Sequence, residues 1–162
     1  MSRSHPRPAP DQFRVLRTLR EACPVCGVHM RRDYDHFRTL VTLQKSVRLR
    51  LCIRRCRNPE CSRYHVPYRP EEECSLGLAG VEFGFDVVAL VGSLRHREHR
   101  SVPEIHERLV DLGVEISQRS VTNLVDLYDE LVAVSLSDSR RLADRLGVQG
   151  RVILAIDGLQ PH

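Results

Sequence analysis

Four of the six cysteines form two close pairs whose spacing is typical of a metal site. Cys23-Pro-Val-Cys26-Gly is the first pair, and Cys56-Arg-Asn-Pro-Glu-Cys61 is the second. Zinc binds four soft ligands in a tetrahedron, and two tight turns that each offer two thiolates meet that demand. The first pair is the more specific signal, because the second has four intervening residues where two are commoner. The sequence therefore predicts a structural Zn²⁺ held by Cys23, Cys26, Cys56 and Cys61.

Free thiols and a disulfide are the weaker alternatives for these cysteines. The sequence shows no secretory signal and no apolar run of the roughly 20 residues that cross a bilayer. We therefore expect a cytoplasmic, nucleoid-associated protein without membrane contact, whose thiols stay reduced. Cys52 and Cys74 are spare, and either Cys52 or His65 could replace one of the four ligands. Nothing demands an open catalytic site, so the metal is expected to organise the fold.

A β-hairpin is the element that would bring the two pairs together. Residues 37–43 and 47–54 read as strands, the second alternating apolar and basic side chains, with a turn at 44–46. Residues 12–20 are predicted to form a short helix, because Phe13, Leu16 and Leu19 share helical spacing. The arm before them, residues 1–11, is rich in Pro and Arg and is expected to be flexible. Residues 12–69 are thus a predicted zinc-ribbon β module.

The charge of the chain is unevenly distributed. The net charge is +4, yet residues 1–69 carry 16 basic residues against five acidic ones, a net of +11, which leaves −7 for the remainder. An arginine bias caused by genome composition would not separate the signs in this way. A strongly basic segment favours contact with a polyanion. Arg48 and Arg50, on the second predicted strand, are the candidate phosphate contacts of this module.

The second half has the periodicity of helices. Residues 70–82 contain Pro70, an acidic run and two glycines, and read as a linker. A helix is expected over 83–96, and Ser101 with Glu104 makes a capping box for the next helix, which ends at Gly113. Ser117 can cap a further helix after a short turn. Residues 83–136 are therefore predicted to be an all-α helix-turn-helix bundle.

The start of that last helix carries side chains that read bases. Its outward positions near the start are Gln118, Arg119, Thr122 and Asn123. Arg pairs with guanine, Gln or Asn with adenine, and Thr contacts phosphate or a thymine methyl. Taken alone, such residues are more often caps and a solvated helix face. The basic lead-in that includes Arg97 and Arg100 favours DNA, because it could hold phosphates.

The last segment completes a resemblance to a known family. Residues 151–156 form an apolar run that ends in Asp157-Gly158. The chain resembles the N-terminal part of insertion-sequence transposases of the DDE type. The resemblance covers residues 12–162 and rests on the order of three elements: a ribbon with paired cysteines, a helical pair, and a buried strand that ends in a carboxylate. The resemblance implies that residues 137–162 begin an RNase H-like α/β domain. It also implies that Asp157 is the first of three acids that hold two Mg²⁺ ions for phosphoryl transfer.

The resemblance further implies a role in DNA transposition and DNA recombination, through recognition of the terminal inverted repeats of a mobile element. The sequence ends at His162, before two further acids, so we expect a truncated catalytic core that is inactive alone. The expected partner is the double-stranded DNA of the transposon ends, bound by a single chain or by a homodimer. The alternatives are a stand-alone transcriptional regulator or transposition repressor and, less favoured, a protein-interaction zinc module.

Overall fold

The first half of the chain folds into one small sheet. Its strands are β1 (Gln12–Leu16), β2 (Arg31–Val41) and β3 (Ser46–Arg55), in the spatial order β1-β3-β2. β2 and β3 are antiparallel, whereas β1 pairs with β3 in parallel. The structure is a computed structural model, and it describes residues 9–138, 143–144 and 147–148.

The hairpin of β2 and β3 confirms the predicted strand pair and corrects one boundary. β2 begins at Arg31 instead of residue 37, because its polar first half also pairs with β3 as far as Arg55. A bulge between Arg32 and Tyr34 breaks the strict alternation there, which hides the strand from the sequence pattern. The turn occupies residues 42–45, where the Thr42 hydroxyl donates to the Lys45 carbonyl at 2.8 Å.

The predicted helix over residues 12–20 is wrong. Residues 12–16 form β1, whose backbone hydrogen bonds go to β3, with Gln12 opposite Val47 and Leu16 opposite Leu51. A helix over residues 12–20 would have only about two and a half turns and be marginal in water, whereas five of these residues gain ladder hydrogen bonds at the free edge of β3. The helical spacing of Phe13, Leu16 and Leu19 was coincidental: Leu16 is buried, but Phe13 and Leu19 are exposed.

The two faces of the sheet have opposite character. On the inner face, Leu49, Leu51 and Ile53 of β3 are at most 1% exposed and pack with Leu16 and Leu40. The alternate positions of β3 and their ladder partners form the outer face, since paired residues share a side of the sheet. The outer face consists of Phe13 and Val15 of β1, Arg48, Arg50, Cys52 and Arg54 of β3, and Arg32, Asp35, Phe37 and Thr39 of β2.

A short helix packs against the inner face through Leu76. It is α1 (Glu73–Leu76), which lies inside the segment predicted as a linker. Glu73 is 2% exposed and accepts hydrogen bonds from Arg38 Nη1 at 2.9 Å and Arg69 Nε at 2.7 Å. Arg38 also donates to the carbonyl oxygens of Leu78 and Val81. One buried carboxylate and two arginines thus fasten this segment to β2.

Three helices follow: α2 (Phe85–His96), α3 (Val102–Asp111) and α4 (Gln118–Ser137). The capping box of Ser101 and Glu104 is confirmed, and Ser117 caps α4 by accepting the amide of Ser120 at 3.2 Å. Gly113, with φ of +80°, ends the α3 segment in a left-handed conformation that favours glycine. The helices bury a core of their own that includes Val91, Leu109 and Val121. A small β module followed by helices is therefore confirmed.

The two halves are joined by backbone pairing and by one side chain. The Val41 carbonyl accepts the Gly84 amide, and the Val41 amide donates to the Glu82 carbonyl, both at 2.8 Å. Asp86 accepts the Leu43 amide at 2.9 Å. Within the described part of the chain, no helix combines the length and apolar character needed to cross a membrane.

Candidate functional site

The hairpin brings the two cysteine pairs to one end of the sheet. Arg31 begins β2 opposite Arg55, the last residue of β3, so the turn before β2 and the turn after β3 are neighbours. Cys26 lies in the first turn, and Cys56 directly follows β3. The ligand atoms of Cys23, Cys26, Cys56 and Cys61 all lie within 4.8 Å of one another.

The geometry of this cluster fits a tetrahedral ion. The Cys23 and Cys61 sulfurs are 3.8 Å apart, and the Cys26 and Cys56 sulfurs are 3.5 Å apart. Four sulfurs at about 2.3 Å from one zinc ion are separated by about 3.8 Å along the edges of the tetrahedron. A disulfide needs about 2.05 Å, so the thiols are free and far enough apart to share an ion. The four side chains therefore suit a metal such as zinc, which would tie the two turns together.

Backbone amides of the second turn point at its two sulfurs, and a backbone hydrogen bond closes the first turn. Asn58 donates to Cys56 Sγ and Arg63 donates to Cys61 Sγ, both at 3.4 Å. In the first turn, the Gly27 amide donates to the Cys23 carbonyl at 2.9 Å, and Gly27 has a φ of +73°. Amide donors favour the charged thiolate, which is the form that binds metal.

The thiols nevertheless titrate differently. The amides of Cys26 and Val25 lower the pKa of Cys23 to about 6. Burial raises the pKa of Cys56 to about 12. The amide of Arg63 lowers the pKa of Cys61, but burial and hydrogen bonds with Cys26 and Cys23 outweigh it, so the net shift is upward. Without a cation, four thiolates so close together repel one another.

The alternative ligands lie outside the cluster. Among the described residues, the only group of ligand atoms close enough to hold an ion is that of the four paired cysteines. Cys52 lies on the outer face of β3, Cys74 is exposed in α1, and His65 is exposed and stacks edge-on against Tyr64. The structure thus assembles the predicted four without Cys52 or His65.

The predicted base-reading residues lie together at the start of α4. Gln118, Arg119, Thr122 and Asn123 are exposed. Val121 and Leu124, in the same turns, are 0% and 4% exposed and face the helical core. The Thr122 hydroxyl donates to the Gln118 carbonyl at 3.3 Å, which leaves its oxygen free to accept. His106 holds the preceding turn by bonding the Ile116 carbonyl at 2.9 Å.

The remaining predicted contacts occupy separate places. Arg97 and Arg100 are exposed after α2, and Arg100 lies 3.5 Å from a Glu98 carboxylate oxygen. Arg48 and Arg50 belong to the outer face of the sheet. Asp157, with the predicted strand 151–156, lies outside the described residues.

Two features escaped the sequence reasoning. The buried Glu73 looked like part of a solvated acidic run, and only the pairing with Arg38 and Arg69 reveals it. On the outer face, the phenyl rings of Phe13 and Phe37 are 57% and 46% exposed beside arginines. The alternation of basic and apolar residues in β3 signalled a basic face, but the rings come from two other strands.

No protein-family model, curated protein or solved structure matches this chain.

Proposed function

We propose that this protein binds duplex DNA through the α3–α4 pair and that zinc on the four cysteines stiffens a basic neighbouring module. The observation that carries the proposal is the exposed start of α4. Four polar side chains face away from the helical core there: Gln118, Arg119, Thr122 and Asn123. The Ser117 cap stabilises the helical turn that carries them. A helix that follows another after a short turn can enter the major groove with its first turns against base edges.

The charges on α4 favour a limited contact. Its first two turns carry Arg119 and no acid, whereas Asp126, Asp129 and Glu130 follow farther along. Acidic side chains repel phosphate, so the groove would accept only the start of the helix. Arg97 and Arg100, exposed immediately before α3, would neutralise phosphates beside the groove.

The biological setting that we propose is recognition of transposon ends by the N-terminal part of a DDE-type transposase. Support comes from the order of a cysteine cluster at a hairpin end, a capped helical pair and the sequence motif ending in Asp157. Zinc, when bound, supplies a cross-link between residues far apart in the chain. The residues of this chain position the DNA, and strand transfer would require further carboxylates.

Base recognition by α4 is tested by selecting a preferred site from a pool of random DNA duplexes. The affinity of the protein is then measured for this site and for an unrelated duplex. Arg119→Ala is expected to lower the ratio of the two affinities about 5- to 150-fold, as loss of a bidentate base contact does. Arg108→Ala is the matched control, because it removes an equal charge from α3 and should leave the ratio unchanged. Equal affinity of the wild-type chain for all duplexes would refute base reading by α4.

The setting has its own test in the nucleotide sequence that encodes this chain. A transposase predicts that a continuation in some reading frame encodes two further acids on RNase H-like elements. A stand-alone regulator or transposition repressor predicts an unrelated gene or an intact promoter there. Duplex binding with that second result would leave the DNA-binding proposal standing and overturn the transposase part.

A further inference from the structure

The outer face of the sheet is open, basic and aromatic at once. α1 packs against the inner face, but the described chain leaves the rings of Phe13 and Phe37 about half exposed. Phe13 is the ladder partner of Arg48, and Phe37 is the partner of Arg50. The Arg48 guanidinium lies 5.8 Å from the centroid of the Phe37 ring. Flat π surfaces therefore alternate with positive charge across three strands.

A cleft with a surplus of positive charge adjoins the rings. It has a volume of about 250 Å³. Its walls contain Val15, Thr18 and Cys52 together with four arginines, which are Arg17, Arg32, Arg50 and Arg54. This volume is below the roughly 300–1,000 Å³ of sites that enclose a whole ligand, so the cleft suits a single group of a larger molecule.

The acids near this cleft do not balance its arginines. Asp35 accepts hydrogen bonds from Arg32 at 2.7 Å and from Arg50 Nε at 2.8 Å, and these bonds keep its pKa below the usual range. Arg54 reaches Glu21 only at 3.4 Å. Arg17 pairs with no acid in the described residues. The Thr18 hydroxyl likewise has no hydrogen-bond partner there. Arginine side chains and a hydroxyl donate hydrogen bonds, so an anion with acceptor oxygens, such as a phosphodiester, would suit this cleft.

We infer that the outer face binds an unpaired DNA strand, with bases stacked on Phe13 and Phe37 and a phosphate in the arginine cleft. Three strands place the outermost backbones about 10 Å apart, before side chains are added. The major groove, about 12 Å wide, admits a helix or a two-stranded ribbon and is too narrow for this sheet. The faces of paired bases are already stacked on their neighbours in a duplex, whereas unpaired bases are free to stack on exposed rings. The inference rests on the proposed function only for its class of partner, DNA.

The test measures the affinity of the full-length, zinc-loaded chain for a single-stranded oligothymidine of about 16 nucleotides, a length that spans one such site. Phe13→Ala and Phe37→Ala are each expected to weaken binding about 5- to 150-fold, the usual loss for one stacked base. Tyr34→Ala is the matched control. Tyr34 is an exposed aromatic residue of β2, but its ladder partner is Ile53 on the inner face. Zinc content and circular dichroism verify that each variant is folded.

The salt dependence separates the two kinds of contact. Arg17→Ala should lower the slope of log affinity against log salt by about 0.7, the value for one phosphate contact on a single strand. Phe13→Ala should weaken binding without changing that slope. If both phenylalanine variants and Arg17→Ala bind the oligonucleotide like wild type, the inference is overturned.

Duplex binding is measured in parallel, so that this inference and the proposed function fail separately. Arg119→Ala should weaken the preferred duplex and leave the single strand unaffected, and Phe13→Ala should do the reverse. If the wild-type chain binds the single strand as expected but shows no preference among duplexes, the role of α4 is overturned and the single-strand site stands. If the phenylalanine substitutions instead abolish self-association without altering single-strand affinity, the face binds a second copy of the chain and the inference is wrong.

Discussion

The sulfur atoms of the four clustered cysteines are chemically equivalent, but their surroundings differ. Amides lower the pKa of Cys23, whereas burial raises that of Cys56. A cation removes the difference, because metal binding takes thiolates from every position. The spacing of the cysteines was enough to predict which residues converge, because the turn before β2 and the turn after β3 lie at the same end of the hairpin. Amide orientation and burial depend on the folded backbone and could not be predicted.

Replacing any one of the four cysteines should abolish stoichiometric zinc binding. Cys23→Ser and Cys61→Ser each leave three thiolates and a weak hydroxyl ligand, so we expect wild-type protein to carry one zinc per chain and these variants to lose it. Native mass spectrometry and metal analysis measure the stoichiometry. Cys52→Ser and Cys74→Ser are the matched controls and should keep the metal. Zinc retained by Cys23→Ser would contradict the ligand assignment.

The buried carboxylate of Glu73 makes a pH-dependent contribution to stability. Burial alone would raise the pKa of Glu73, but hydrogen bonds from Arg69 and Arg38 outweigh it and the net pKa is lowered. A group with a lowered folded-state pKa stabilises the fold above its unfolded pKa, near 4.3, and loses that contribution as the pH falls through the folded value.

Glu73→Gln should therefore destabilise the protein by about 3–5 kcal/mol at pH 7, because two arginines lose their buried partner. The difference from wild type should shrink as the pH falls below about 4. Urea unfolding of both proteins between pH 7 and 3 measures it, and the comparison at each pH cancels acid release of zinc. Glu72→Gln is the control: its ion pair with Arg14 is 43% exposed and should contribute under about 1 kcal/mol. A difference independent of pH would contradict the ion-pair explanation.

At the scale of elements, the helices were far easier to predict than the strands. Ser101, Glu104, Gly113 and Ser117 are local signals, and each acts within one turn of its own position. β1 has no such signal: Gln12–Leu16 becomes a strand only because β3 offers a free edge. α1 likewise depends on Arg38, 35 residues before Glu73 in the sequence. Contacts between distant residues decided what local patterns left open.

Gly92 sets the distance between α2 and α4. A Cβ atom at this position would lie 2.2 Å from Cε2 of Tyr128. The Tyr128 ring also stacks on His96, with centroids 5.6 Å apart, and His96 Nε2 contacts Asp129 at 2.7 Å. The absence of a side chain thus lets a ring of α4 lie flat against α2.

Gly92→Ala should destabilise the fold by up to about 2 kcal/mol, because overpacking against the ring costs about 1–3 kcal/mol and alanine gains only about 1 kcal/mol in a helix. Thermal and urea unfolding measure the effect, with Ser93→Ala as the neighbouring control. In a Tyr128→Ala background the penalty should vanish, as a double-mutant cycle would show. If Gly92→Ala destabilises the Tyr128→Ala variant as much as it destabilises wild type, the Tyr128 ring is not the group that clashes.

At the scale of the whole molecule, the described residues form a sheet core and a helical core that depend on different forces. Leu51 and Ile53 belong to the small sheet core beside the cysteines, whereas Val91 and Leu109 belong to the helical core. A β module of this size buries little apolar surface, so a metal bound to the four cysteines would supply much of its stability, as it does in small metal-binding domains. The helices have no metal ligand among the clustered residues.

Removal of zinc should therefore unfold the two halves unequally. With a strong chelator, amide exchange is expected to rise throughout β1, β2 and β3, while α2, α3 and α4 keep most of their protection. Hydrogen-exchange mass spectrometry on the full-length chain measures this, and restoring zinc should reverse it. Uniform loss of protection in both halves would instead indicate that the sheet and helices unfold as one unit.

The parallel pairing of β1 gives residues 12–16 a protective role. β2 pairs with one side of β3, and β1 pairs with Val47 to Leu51 on the other side, where Tyr68 also bridges to Arg54. Strand edges with unpaired amides and carbonyls recruit other chains. A polypeptide shortened past Leu16 would keep its hairpin and its four thiols but expose the central strand, and its characteristic failure would be aggregation.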